Sequence, residues 1–92
     1  MPDAGDDEVI VRMWEVRAYP RSFTDLLNWV CDVAVPRLEV EPRHVASEVF
    51  SSTDLRVVVI SRWRGEPMDL PAPPEGLAAR SAHVWDFTPV DR

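Results

Sequence analysis

Cysteine occurs once, at Cys31, so no disulfide can close within the chain. Glycine occurs three times, isolated at positions 5, 65 and 76. That excludes a glycine-rich phosphate loop and the tight turn of a dinucleotide-binding unit. Histidine is scarce too. His44 and His83 fall on different predicted strands and Cys31 on a predicted helix. No spacing gathers three metal ligands, so neither a metal site nor a cofactor is expected. Basic residues number 10 against 16 acidic ones, for a net charge of −6. A nucleic-acid partner would need a basic face to displace counterions, and an anionic membrane surface would repel this chain. No apolar run approaches the roughly 18 residues of a membrane span. The start, Met1 to Glu8, is acidic, without a basic or an apolar segment of the secretory kind. With the single cysteine, this predicts a cytoplasmic protein.

The chain does hold enough apolar material to fold. Its 92 residues are 46% hydrophobic, which suits one globular domain with a thin core. Oligomer formation is a common remedy at this size. The four tryptophans are many for so short a chain and point to a core, a cavity or an interface.

Residues 1–7 read as a disordered acidic tail and 8–92 as a single domain. The run Val9 to Tyr19 is rich in β-branched and aromatic residues on both faces, which predicts a central strand ended by Pro20. Ser22 and Asp25 resemble a capping box, with Ser22 accepting from the Asp25 backbone. Phe23, Leu26, Leu27, Val30, Cys31 and Ala34 form one apolar stripe. They predict a helix over 22–35, stopped by Pro36 and burying Cys31 as an inert thiol. His44–Phe50 and Leu55–Trp63 read as a hairpin around Ser51–Asp54. The stretch 66–74, with four prolines, predicts a stiff irregular loop. A short helix over 74–80 and a last strand over 83–90 complete the pattern.

The order β-α-β-β-α-β is that of a ferredoxin-like α+β domain with a four-stranded antiparallel sheet and helices on one face. The strands are apolar on both sides, however. Val9, Val11 and Met13 alternate with Ile10, Trp14 and Val16. An uncovered apolar face of that size predicts a homodimer with the two sheets packed face to face.

In this order, and in a third strand Val57–Trp63 closed by a tryptophan, the chain resembles the dimeric α+β barrel superfamily that includes the antibiotic-biosynthesis monooxygenases. The aromatic final strand Trp85-Asp86-Phe87 agrees, and the resemblance covers residues 8–90. It implies a cofactor-independent oxidation of a small aromatic molecule. Haem-degrading relatives use an asparagine on the first strand, a tryptophan on the third and a histidine on the second helix. Trp63 matches one role, but Trp14 occupies the first-strand position and residues 74–81 hold no histidine. Haem oxygenation is therefore not expected.

Two readings stay open. In one, Trp14, Trp63 and Trp85 line a pocket for a flat apolar substrate, with Arg62, Glu48 or Asp86 as its polar groups. His83 accepts a proton and Arg62 holds an enolate. The segment Pro67 to Pro74 is a lid or a stiff connection. In the other, the domain is a non-catalytic dimeric module whose aromatics fill the core and the subunit interface. Trp29 fits a boundary position in either.

Overall fold

In the computed structural model, which describes residues 8–92, the chain folds as an α+β domain with one four-stranded sheet. The expected acidic tail lies outside the described residues. β1 (Val9–Arg17) is followed by a 3-10 turn, Pro20–Ser22, and by α1 (Phe23–Trp29). A π-helical turn, Val30–Ala34, then leads into α2 (Val35–Glu39). β2 (His44–Ser51), β3 (Arg56–Arg64) and β4 (His83–Phe87) complete the sheet. Its order is β2-β3-β1-β4 with antiparallel neighbours, so the expected ferredoxin-like arrangement holds and β1 is central.

The helix differs from expectation at Pro36, which does not end it. A proline in a helix lacks the N–H and drives its ring into the carbonyl four residues back. Here the preceding π turn opens the spacing, and Val35 N–H donates to Val30 O instead. The helix therefore continues to Glu39. Its buried line runs Leu26, Val30, Ala34 and Leu38. Cys31 falls outside that line and is exposed, contrary to the inert buried thiol expected.

Ser22 does not cap the helix either. It is buried, and its Oγ lies 2.7 Å from Leu77 O and 3.2 Å from Tyr19 O. It ties the helix start to the far end of the proline-rich segment. The predicted short helix over 74–80 does not form. Gly76 turns the chain at φ +90°, a left-handed value that glycine adopts without cost. Ala78 then bridges Ala18, and Ala79 N–H donates to Arg17 O at 2.7 Å. The segment thus extends the sheet beside the end of β1. β4 stops at Phe87 rather than continuing to residue 90.

Alternation along the strands separates two faces. Trp14, Val16, Val57 and Val59 point toward the helix and form the core with Leu26, Val30 and Val35. The far face carries Val11, Met13, Val58, Ile60, Phe50, Trp85 and Phe87 by register. Among the described residues nothing covers it, and Phe50, Trp85 and Phe87 are 48%, 44% and 51% exposed.

Candidate functional site

The missing second helix leaves room on the helix side of the sheet. Its place is taken by the extended segment 68–76, and a cleft of about 640 Å³ lies between that segment and the strands. Volumes in this range suit small-molecule sites. The walls are mainly apolar and include Trp14 and Val84 from the sheet, Leu38 from the helix and Leu70 from the segment. Tyr19 also lines it. The prolines explain why the segment can act as a wall. They fix φ and hold an extended path without needing backbone donors.

Polar groups gather on one side. Arg12 stands two residues before Trp14 on the same face of β1, directly across from Ser61 of β3. Its Nε and Nη2 donate to the two carboxylate oxygens of Asp86 at 2.7 and 2.9 Å. Its Nη1 donates to Asp69 at 2.5 Å. The bidentate bond to Asp86 is the largest influence raising the Arg12 pKa, and it holds the Asp86 carboxyl below the ordinary carboxylate value. The Asp69 bond fastens the proline-rich segment to the sheet. Arg12 is mostly buried, while the Asp69 side chain is 85% exposed.

Ser61 is buried and lines the cleft. Trp63 Nε1 donates to Ser61 Oγ at 2.8 Å. The Trp63 ring itself is fully buried and meets His44 edge to face, with centroids 5.3 Å apart. It borders a smaller hollow of about 370 Å³ with Pro42, Arg43 and Pro67.

No protein-family model and no curated protein matches the sequence. Among solved structures the chain is similar to Rv0793 from Mycobacterium tuberculosis, with 14% sequence identity and a TM-score of 0.68. The match covers 91% of this chain and 97% of that one. At this identity the likeness shows a shared fold.

The structure distributes the sequence-predicted site residues over both faces of the sheet. Trp14 is in the cleft, and Trp63 stands behind Ser61 rather than in the cleft wall. Trp85, His83 and Arg62 are on the far face, opposite Met13, Glu15 and Val11 respectively. Glu48 is there as well, opposite Ile60. His83 packs edge to face on Trp85, with centroids 5.7 Å apart. Its Nδ1 lies 3.7 Å from Glu15, whose buried carboxylate receives Arg80 Nη2 at 2.8 and 3.0 Å. Asp86 serves the cleft side through Arg12. Trp29 is partly buried against the core. Among the described residues, no group of three or more His, Cys, Asp or Glu is placed to hold a metal.

Sequence reasoning missed Arg12, Ser61 and Asp69. The signal for the first two was available. A polar residue two positions before a tryptophan, inside an apolar strand, shares that tryptophan's face. The spacing Arg12/Trp14 and Ser61/Trp63 shows it twice. Asp69 carried no such signal, because its partner is fixed by the path of an irregular segment.

Proposed function

We propose that this protein binds a small, mainly apolar molecule in the cleft between β1, β3 and the segment 68–76. The observation that carries the reading is the cleft itself: a volume of about 640 Å³, with Trp14, Leu38, Leu70 and Val84 as walls and polar groups on one side. A flat aromatic ligand suits the Trp14 wall, since offset or edge contacts between rings add to the burial of apolar area. The resemblance to antibiotic-biosynthesis monooxygenases supports the same class of ligand.

Oxidation of that ligand is the narrower reading. His83 as proton acceptor and Arg62 as enolate holder would have to act from the far face, where the register places them. The acidic groups bordering the cleft are Asp69 and Glu75. Binding therefore fits the geometry better than cofactor-free oxygen chemistry.

The far face supports a second part of the proposal, a homodimer with sheets packed face to face. Trp85, Phe50 and Phe87 are the aromatic material of that interface. Among the described residues no helix is long and apolar enough to cross a membrane. A cytoplasmic location belongs to the same reading, and the exposed thiol of Cys31 suits a reducing compartment.

A neutral dye that brightens in apolar surroundings, N-phenyl-1-naphthylamine, tests the cleft. One dye per chain should bind saturably. Val84→Trp fills the cleft from an already half-exposed position and should weaken binding at least about tenfold. Phe87→Ser, on the other face, should leave dye binding intact. Equal dye binding by wild type and Val84→Trp would refute the cleft as a ligand site.

A further inference from the structure

Resting on the cleft reading above, we propose that Ser61 and Arg12 form an oxygen-recognition subsite that selects an aromatic molecule bearing a neutral carbonyl group. The hydroxyl of Ser61 is only 3% exposed at the residue level, yet it lines the cleft. Its oxygen accepts the indole N–H of Trp63 at 2.8 Å. That bond occupies one lone pair and sets the direction in which the hydroxyl hydrogen can point. Among the described residues no acceptor takes this hydrogen. A buried donor without an acceptor costs free energy, and a ligand oxygen in the cleft removes that cost.

Arg12 stands directly across from Ser61 on the same face. Three of its five N–H groups are spent on Asp86 and Asp69. Two donor-bearing side chains thus adjoin one another beside the Trp14 wall. Their charge state decides which oxygen they take. The guanidinium already faces two carboxylates, and Arg80, the other cation lining the cleft, donates to both oxygens of Glu15, so neither cation is left without a carboxylate for an anionic ligand to neutralise. A ketone or quinone oxygen adds no charge and still accepts from Ser61. Trp63 acts here as a positioning residue. It orients Ser61 without touching the ligand.

Three probes of similar shape separate the outcomes: 2-acetonaphthone, 2-ethylnaphthalene and 2-naphthoate, each measured by equilibrium dialysis against the full chain. Wild type should bind the ketone about tenfold more tightly than the hydrocarbon, the worth of a well-placed hydrogen bond, and the carboxylate most weakly. Ser61→Ala should abolish the ketone preference, bringing the ketone and hydrocarbon affinities together, and Ser61→Thr should restore it. Equal binding of ketone and hydrocarbon by wild type overturns the subsite but leaves the cleft reading standing. That comparison holds even where a Ser61 variant fails to fold. Binding of none of the three overturns both readings. Carboxylate binding as tight as ketone binding overturns the preference for a neutral oxygen.

Discussion

On the proposed face-to-face pairing, replacing Phe87 by serine should convert the protein from a dimer to a single folded chain. Phe87 lies on the far face at the end of β4, 51% exposed in the lone subunit. An aromatic side chain offers on the order of 200 Å², so about 100 Å² remains for a second copy to cover. At about 25 cal/mol per Å², its loss removes about 2.5 kcal/mol per copy. A two-fold interface uses the residue twice, so the dimer loses about 5 kcal/mol. That weakens the dimer dissociation constant by about three orders of magnitude or more. The isolated subunit should lose up to about 2.5 kcal/mol as well, because the other half of the ring is buried within its own chain. Sedimentation velocity at tens of micromolar reads the outcome. Wild type should sediment as a dimer and Phe87→Ser as a monomer with an unchanged circular dichroism spectrum. A wild-type protein that sediments as a stable monomer at that concentration would refute the face-to-face pairing and the reasoning from the bare apolar face.

Other outcomes follow from single features. Asp86 has a carboxyl pKa held below its ordinary value by Arg12, so the pair stabilises the fold above that value and the contribution is lost as pH falls through the lowered one. Thermal melts between about pH 5 and pH 2 should therefore fall more steeply for wild type than for Asp86→Asn. Leu55 sits at φ +72°, a left-handed value that suits asparagine and penalises branching at Cβ. Leu55→Asn should keep or raise the melting temperature, and Leu55→Ile, with its branched Cβ, should lower it. Cys31 is exposed, so one thiol per chain should react with Ellman's reagent in the native state; a need for denaturant would show that the π turn places it differently.

The strands were largely legible because their signal is local. β1 and β3 carry continuous β-branched runs, and the order of elements fixed the sheet topology once antiparallel pairing was assumed. The helix end was not legible, because a proline normally ends a helix and the π turn that accommodates Pro36 leaves no residue signature of its own. Cys31 lies one residue past Val30 of the buried line Leu26, Val30, Ala34 and Leu38, and the breadth of the predicted stripe hid that it falls outside the line. The second helix was over-read: Leu77 and Ala78 looked helical locally, but backbone pairing of Ala78 and Ala79 with β1 took precedence. Of the candidate site, Trp14 was legible as an aromatic on an inner strand. The cleft was not, since it arises from a helix that fails to form and from an ion pair spanning 57 residues, Arg12 to Asp69.

β4 has a consequence for handling the protein. It is short and lies at the margin of the sheet, so one row of its backbone donors and acceptors faces solvent. Val84, Trp85 and Phe87 make it an adhesive margin, and its one carboxylate, Asp86, ties it to Arg12 of β1. Strong acid protonates Asp86 and breaks that tie, loosening the strand. Fibrillar precipitate at low pH would then begin at this strand, independently of whether the two broad faces are paired.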